Sequence, residues 1–405
     1  MILNILRSIV QHGTAPPEGC AEIDVANADA IERIARVYFG SDFPDGRAAE
    51  KLVVGPYGSG KTHFLRQLME RARKEHCVTS ECNLTPATDL TNPLFLYSQF
   101  AKNIRVPEGT DRTGVEKLLE TSIERMRSHF DVLKGGADKA LDAWIEQAEI
   151  EASQERSVGR QVRRALRLLK VSDRDGAEPS LRWLEGEVDN AGVAKAINEK
   201  KLSAAEQRTF GLNALPSIMR FVRHAGWHGT VVAFDEAEQA MNQPKKKQKQ
   251  ILSNIRVAVD ATTRNQGVGY LIAYGITPDI LAGLTDYPAL QQRFSAPKDR
   301  GFFDGTSEAN TRAAVLDLER RLDADRHIRA FGRRLVDLLY LECGDTVTQP
   351  RGDAERAVDK IADGILASTA GASAFREMAK ATAAHLLTLL PEVSPPSSRT
   401  REREV

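Results

Sequence analysis

Three short, wholly apolar runs interrupt a chain that otherwise follows the periodicity of amphipathic helices. They are residues 52–54, 231–234 and 270–274. Each is bounded by glycine or polar residues and is too short for a helix, so we predict strands buried on both faces. A fourth stretch, residues 77–84, alternates well enough to be another strand. Strands separated by helical segments predict an α/β fold with a mainly parallel sheet.

Two long regions carry helical periodicity without a strand signal. Residues 109–207 are rich in Glu, Arg, Lys and Ala and lie between two predicted strands, so we predict a helical insertion there. Residues 306–390 predict a C-terminal helical domain, residues 1–46 an N-terminal helical arm, and residues 47–305 the α/β domain itself. The last segment, 391–405, is polar and proline-rich, which predicts disorder.

A glycine-rich segment follows the first apolar run directly. It reads Gly-Pro-Tyr-Gly-Ser-Gly-Lys-Thr, has the spacing of a phosphate-binding loop, and is followed by a helical pattern. Its glycines would let backbone N–H groups approach phosphates, while Lys61 would reach the β- and γ-phosphates and Thr62 would ligate Mg²⁺. The flanking strand and helix disfavour the alternative, a glycine-rich turn that binds nothing. The residues predicted to bind ATP are Gly55, Pro56, Tyr57, Gly58, Ser59, Gly60, Lys61, Thr62 and His63.

The second apolar run ends in two acids, Asp235 and Glu236. A buried strand would carry Asp235 to the sheet edge beside Lys61 and Thr62, where its carboxylate would help to hold Mg²⁺. Glu236 would then orient and deprotonate the attacking water. A helix N-terminus is the alternative interpretation of the two acids, but their pairing with a phosphate loop favours ATP hydrolysis.

Two further candidates follow the third apolar run. Thr277 stands at its end, where a polar group would reach the γ-phosphate or the attacking water. Arg293 ends a short predicted helix and is a candidate arginine finger for the nucleotide of a neighbouring subunit. A surface salt bridge is the alternative for Arg293. An arginine finger acts on the nucleotide of a neighbouring subunit, so this role predicts that the protein forms a homo-oligomer.

The charge balance limits the partners of the protein. The chain has 56 basic and 56 acidic residues, so the whole molecule has no long-range attraction for nucleic acid, and DNA would have to contact a local patch. One candidate patch is the run 244–249 with its four lysines, and another is the basic helical pattern 156–170. A solvated surface is the alternative for both, and the acidic run 146–155 supplies balancing charge for the second.

The cysteines and the apolar segments indicate the compartment. Cys20, Cys77, Cys82 and Cys343 have neither metal-ligand nor redox spacing, which predicts free thiols in a reducing environment. The first residues lack a cleavage-site pattern, and no run of about 18 apolar residues occurs, so we expect a cytoplasmic protein without a membrane span.

The order of these motifs resembles that of AAA+ ATPases, which are P-loop NTPases of the ASCE type. A narrower resemblance, over about residues 5–300, is to the ATP-binding proteins of BREX bacteriophage-defence systems, the BrxC/BrxD type. It is carried by residues 55–65, 229–238 and 287–294, by Asn83-Leu84 and by Leu96-Tyr97.

That resemblance implies a P-loop NTPase fold with a C-terminal helical lid, and ATP and Mg²⁺ as cofactors. It also implies work alongside a methyltransferase and other defence-system proteins, with DNA as a candidate target. Either Arg351 or Arg376 would contact the nucleotide from the lid, and Arg376 is our candidate.

Two other classes of protein remain open. Residues 235–238, Asp-Glu-Ala-Glu, are superficially similar to the motif of Asp-Glu-x-Asp helicases. Such a helicase needs a second motor domain, and the residues after Arg293 show no strand pattern. The other class is a nucleotide-dependent switch or scaffold without turnover, which Glu236 disfavours because a scaffold does not need a base there.

Overall fold

The computed structural model describes residues 1–85, 91–108, 112–132, 136–237, 267–285, 291, 300–321, 324–369 and 373–391. Arg293, the lysine run 244–249 and the predicted disordered segment after residue 391 lie outside these ranges. The chain divides into two compact units, Asn27–Arg321 and Met1–Ala26 with Leu322–Val405. The residues predicted as one N-terminal arm, 1–46, are therefore shared between the two units.

The larger unit is built on a sheet that has six strands in the described residues, in the order β3-β2-β4-β5-β1-β6. Every neighbouring pair is parallel except β2 with β3, which is antiparallel. The predicted α/β fold with a mainly parallel sheet is confirmed. The strands are β1 (Ala48–Val54), β2 (Val78–Asn83), β3 (Ile104–Arg105), β4 (Thr230–Asp235), β5 (Tyr270–Ile276) and β6 (Val315–Asp317).

Helices account for most of the remaining described residues. A π-helical turn, Ala35–Asp42, continues α2, and 3₁₀ turns lie at Leu318–Arg321 and Gly344–Thr346. In chain order the α-helices are α1 (Ile2–His12), α2 (Ala28–Ile34), α3 (Lys61–Lys74), α4 (Pro93–Lys102), α5 (Val115–Phe130), α6 (Ala137–Glu151), α7 (Arg156–Lys170), α8 (Arg174–Leu184), α9 (Ala191–Ala196), α10 (Ala204–His224), α11 (Pro278–Thr285), α12 (Glu308–Thr311), α13 (Ala324–Cys343), α14 (Arg351–Ser368) and α15 (Ser373–Thr388).

The sheet is buried on both faces, which explains why its central strands read as continuous apolar runs. Successive side chains of a strand point to opposite faces. On β1, Val53 packs with α2 and α3, whereas Leu52 and Val54 pack in the cluster that includes α4 and α10. Alternate side chains of β4 and of β5 likewise pack in these two clusters.

Helices α5 to α10 lie between β3 and β4 in the chain, and α5 to α9 fall within residues 109–207, where the sequence predicts a helical insertion, whereas α10 continues beyond it. Helix α7 carries the basic pattern noted in the sequence, and most of those charges contact acids of neighbouring elements. Ion pairing rather than an open basic face therefore accounts for its composition. The pairs are Arg160–Glu199 (2.8 Å), Arg163–Glu149 (2.6 Å), Arg167–Glu146 (2.5 Å) and Lys170–Asp142 (2.7 Å).

All four cysteines are free thiols, as the sequence predicts. Burial raises the pKa of Cys77 and of Cys82 to about 12. Neither side chain forms a thiolate near neutral pH, so both act as small apolar packing groups rather than nucleophiles.

A buried lysine joins β1 to the segment that precedes β6. The Lys51 ammonium donates to the carbonyl oxygens of Thr311 at 2.7 Å and Ala313 at 2.5 Å, and the Tyr38 ring centroid lies 4.9 Å away. Burial lowers the pKa of Lys51 well below its ordinary value. The two carbonyls and the aromatic ring offset part of the cost of removing this amine from water.

The same segment is held by an ion pair between Arg312 and Asp42. The guanidinium donates to both carboxylate oxygens, at 2.7 and 3.0 Å, and Asp42 is 3% exposed. Arg47 lies further away, at 3.5 Å from Asp42 Oδ1. The carboxylate is thus buried, and its direct hydrogen bonds come from Arg312.

Replacing Arg312 by alanine should lower the free energy of unfolding by about 2–3 kcal/mol, because Asp42 would stay buried with only the more distant Arg47. The matched control is Arg320→Ala, which breaks a pair with Asp304 from a 60% exposed arginine and should cost less than about 1 kcal/mol. Urea unfolding of the three proteins measures both effects. Equal losses of unfolding free energy in the two variants would contradict a special contribution from the buried Asp42 carboxylate.

His224, the last residue of α10, is stacked on Trp144 of α6. The ring centroids are 5.1 Å apart with an interplanar angle of 6°. Trp144 Nε1 donates to the His224 carbonyl at 3.3 Å, and His224 Nε2 lies 3.1 Å from the Trp144 carbonyl. Burial lowers the pKa of His224, while the Trp144 carbonyl and the charge of Glu151 act in the opposite direction.

This stack should make stability depend on pH. The unfolded chain, in which the His224 pKa is higher, binds more protons than the folded protein, so stability should fall as the pH drops below about 6.5. Urea unfolding of the wild type and of His224→Gln between about pH 8 and 5 measures this contribution as the difference between the two curves. A difference that stays constant with pH would refute it.

The smaller unit packs α1 against the C-terminal helices. Ile2, Ile5 and Ile9 of α1 lie in one apolar cluster with side chains of α13, α14 and α15. The ammonium of Met1 pairs with Glu342 at 2.9 Å, which fixes the start of α1 on α13. Across the described part of the chain, no helix is long and apolar enough to span a membrane.

Candidate nucleotide-binding site

The glycine-rich loop connects the carboxyl end of β1 to the first turn of α3. Val54 is the last residue of β1, and Lys61 is the first of α3. The Gly55 N–H donates to the Ile276 carbonyl at 3.1 Å, which fixes the start of the loop to the end of β5. The loop therefore lies at the edge of the sheet where parallel strands end, beside the positive end of a helix dipole.

Gly60 provides the turn from the loop into α3. Its φ is 90°, in the left-handed region, and it occupies the N-cap position of the helix. An added Cβ would meet no atom within 4 Å, so the requirement for glycine here is conformational rather than steric.

The lysine of the motif lies within its own loop. Lys61 Nζ donates to the carbonyls of Gly55 at 2.9 Å and Pro56 at 3.3 Å, and the Tyr57 ring centroid is 5.3 Å away. Tyr57 is 65% exposed at the outside of the loop. Ser59 has a buried hydroxyl that makes no hydrogen bond to the described residues. A lysine ammonium and an unsatisfied buried hydroxyl suit a loop that binds phosphate oxygens.

Thr62 and Asp235 meet directly. The Thr62 hydroxyl donates to Asp235 Oδ2 at 2.6 Å, although the two residues are 173 positions apart. Asp235 ends β4 and is 3% exposed, whereas Glu236 immediately after it is exposed. The Glu236 N–H donates to Asp235 Oδ1 at 2.9 Å, and Glu236 has a φ of 54°. A left-handed conformation at a non-glycine residue is uncommon and is concentrated at functional sites.

The donor atoms present suit Mg²⁺ better than a metal that needs an all-protein cage. In the described ranges, no group of three or more His, Cys, Asp and Glu side chains has the arrangement to hold a metal ion. Mg²⁺ is usually held by one or two carboxylates, water and phosphate oxygens. The adjoining Thr62 hydroxyl and Asp235 carboxylate are oxygen donors of this kind, so the residues fit the predicted ion.

Thr277 lies where the sequence predicts it, directly after β5. It is 8% exposed, and its carbonyl accepts from the Leu281 N–H of α11 at 3.1 Å. Val54 of β1 pairs in register with Ile276, the residue before it. Thr277 thus stands beside the start of the loop, and its contact with phosphate or water stays a prediction.

Two residues at this edge were not singled out as site residues by the sequence. Asn83 ends β2 and pairs in register with Asp235. Gly275 of β5 lies against the Asp235 carboxylate, since an added Cβ would be 2.7 Å from Oδ1. A polar residue near the end of a predicted strand was the available signal for Asn83, whereas the role of Gly275 depends on strand pairing that is not visible in the local sequence.

The remaining candidates lie in the smaller unit or outside the described residues. Arg293 lies outside the described residues. Arg376 is an exposed residue of α15 in the smaller unit. Arg351 of α14 pairs with Asp337 and Glu355 of the same unit. Their contacts with nucleotide remain predictions.

The mostly parallel sheet, with a glycine-rich loop between β1 and α3, is consistent with the P-loop NTPase-like class of α/β proteins. A family model described as BREX system ATP-binding protein BrxC/D matches residues 2–380, nearly the whole chain, so the protein belongs to this family. The resemblance seen in the motifs is thereby confirmed. Because the family consists of ATP-binding proteins of BREX systems, its match supports ATP binding and a role in BREX defence. Searches of curated proteins and of solved structures found no match.

The conformation of Gly60 yields a test of the loop. Gly60→Ala should weaken ATP binding at least about tenfold, because an alanine at this φ strains the loop by roughly 1–2 kcal/mol and redirects its N–H groups. Titration with a fluorescent ATP analogue gives the dissociation constant.

Gly267→Ala is the matched control for this test. Gly267 has a φ of 86°, and an added Cβ there also meets no atom within 4 Å, but it precedes β5 at the opposite edge of the sheet. It should lower stability by a similar amount and leave ATP affinity unchanged. The same loss of affinity in both variants would mean that strain anywhere in the sheet, not loop geometry, controls binding.

Proposed function

We propose that the protein hydrolyses ATP at this loop, in an AAA+ type arrangement. The observation that carries the proposal is the contact between Thr62 and Asp235, with Glu236 following directly at the same edge of the sheet. It joins the predicted phosphate loop to the predicted acidic strand. A loop that only bound phosphate would need neither the carboxylate nor the exposed acid beside it.

Each residue of the proposed site has a separate role in hydrolysis. Lys61 and the N–H groups between Gly55 and His63 bind the β- and γ-phosphates. Thr62 and Asp235 hold Mg²⁺, which when bound would neutralise charge on the phosphate oxygens. Glu236 accepts a proton from the attacking water and orients it. Its exposure gives water access to the carboxylate.

The strand order supports an ASCE assignment. One additional strand, β5, lies between β1, which precedes the loop, and β4, which ends at Asp235. That additional strand and a catalytic glutamate are the features from which ASCE takes its name. In this arrangement Thr277, at the end of β5, contacts the γ-phosphate or the attacking water.

The site is completed by other parts of the assembly. Arg293 of a neighbouring subunit supplies positive charge to the γ-phosphate, and Arg376 contacts the nucleotide from the C-terminal helical lid. The protein therefore works as a homo-oligomer. The role of Arg293 follows from sequence order, since it comes after β5 and Thr277, and that of Arg376 follows from its place in the C-terminal helices.

Hydrolysis drives the remodelling of, or movement on, DNA or partner proteins of the defence system. The run 244–249 is the candidate DNA contact, whereas most of the basic side chains of α7 already contact neighbouring acids. A nucleotide-dependent switch and a helicase-type motor are the alternatives. The switch is the stronger alternative, because a helicase-type motor needs a second motor domain. The described residues after 300 contain only one short strand, β6, which joins the existing sheet.

Steady-state ATP hydrolysis tests the proposal. The wild type should turn over ATP, and Glu236→Gln should bind ATP but lose at least about a hundredfold in rate, because the amide cannot accept the proton of water. Glu178→Gln, a change at an exposed residue of α8, is the matched control. Each protein is assayed at several concentrations, with and without duplex DNA.

The outcomes separate the alternatives. Specific activity that rises with protein concentration supports an oligomeric ATPase, and a rise on adding DNA supports DNA as a partner. Unchanged hydrolysis by Glu236→Gln would remove the assigned base. A wild type that binds ATP and never hydrolyses it would instead make the protein a nucleotide switch or an ATPase that needs a partner.

A further inference from the structure

The Asp235 carboxylate is held through both of its oxygens. Oδ2 accepts from the Thr62 hydroxyl at 2.6 Å, and Oδ1 accepts from the Glu236 N–H at 2.9 Å. The first contact ties Asp235 to the phosphate loop, and the second ties it to the left-handed turn that carries Glu236. A displacement of this one carboxylate would therefore disturb the predicted metal ligand and the predicted base together.

The space that the carboxylate occupies is left open by Gly275 of β5. A Cβ added at Gly275 would lie 2.7 Å from Asp235 Oδ1, 3.2 Å from Leu65 Cδ1 and 3.7 Å from Asp235 Cα. A contact below 3.0 Å forces a group to shift, and the nearest group is the Asp235 carboxylate.

Gly275 is not required by its backbone conformation. Its φ lies outside the left-handed range, within a regular strand paired with Val53 of β1. Any residue can adopt an extended conformation there, so glycine serves to leave room rather than to permit a turn.

We propose that Gly275 is a positioning residue of the nucleotide site, which sets the Asp235 carboxylate between Thr62 and the Glu236 N–H. This inference rests on the proposed binding of Mg²⁺ and ATP at the loop. It adds a residue that touches neither ligand and acts through Asp235. The effect of a methyl group at residue 275 should therefore appear in metal dependence and turnover rather than in phosphate binding by the loop.

The test uses Gly275→Ala in the full chain. We measure the dissociation constant of ATP without and with Mg²⁺, and the hydrolysis rate. Affinity without Mg²⁺ should match the wild type, because the loop is unchanged. The gain in affinity on adding Mg²⁺ and the hydrolysis rate should each fall by about ten- to hundredfold, as for other residues that orient a metal ligand.

Gly283→Ala is the matched control. Gly283 is a helical glycine of α11, eight residues further along, and an added Cβ there meets no atom within 4 Å. It should show the wild-type values throughout. A wild-type response to Mg²⁺ in Gly275→Ala would overturn the proposal, and so would an equal loss of affinity with and without Mg²⁺, which would show general damage to the site.

A double-mutant cycle, measured by urea unfolding, tests the inference without nucleotide or hydrolysis. Gly275→Ala should lower the urea unfolding midpoint of the wild type, but by clearly less in an Asp235→Ala background, where the displaced oxygen is missing. An equal decrease in both backgrounds would assign the clash to Leu65 and refute the proposal. If the wild type bound no ATP, the proposed function would fail, while this cycle would still decide whether Gly275 positions Asp235.

Discussion

In a parallel sheet the last residues of all strands lie at the same edge. The candidate site of this protein consists of such residues and of the loop that follows β1. The register of β1, β5 and β4 places Ile276 opposite Val54 and Tyr274 opposite Phe234. Because side chains alternate between faces, a shift of β4 by one residue would turn Asp235 away from α3 and from Thr62. Such a shift would also exchange Phe234, which stacks on Tyr274, with the smaller side chains of the opposite face. Close packing of the core therefore opposes the shift and fixes the geometry of the site.

The sequence was most informative where chemistry and local structure coincide. The loop, Asp235 and the three apolar strands could be predicted because short apolar runs and a fixed glycine spacing have local physical causes. β3 and β6 were not predicted, since strands of two and three residues show no periodicity. Gly275 was missed because its neighbour Asp235 is brought near only by strand pairing. The family match supports the binding of ATP, but the roles of single residues stay predictions.

The zero net charge of the chain hides an uneven distribution of charge within the larger unit. Lys51, Arg33 and Arg312 lie around the segment that precedes β6, and Arg312 pairs with the buried carboxylate of Asp42. Arg33 donates to the carbonyls of Phe302 at 3.2 Å and Gly305 at 2.6 Å, so Arg33 and Lys51, which are both buried, satisfy backbone groups of this largely irregular segment. Irregular backbone lacks the hydrogen bonds of regular structure, and here buried cations supply donors for it. Basic residues in this region therefore serve the fold rather than a nucleic-acid partner.

The packing of α1 against the C-terminal helices has a consequence for synthesis of the protein. Met1 and Glu342, which pair in the folded chain, are 341 positions apart. At translation rates of roughly 5–20 residues per second, the time between the synthesis of α1 and that of α13 is on the order of tens of seconds. During that interval its isoleucine face lacks its native contacts, and residues 27–321, which form the larger unit, are synthesised. The nascent chain thus exposes an apolar helix until late in translation, and chaperones that recognise such helices have their longest opportunity there.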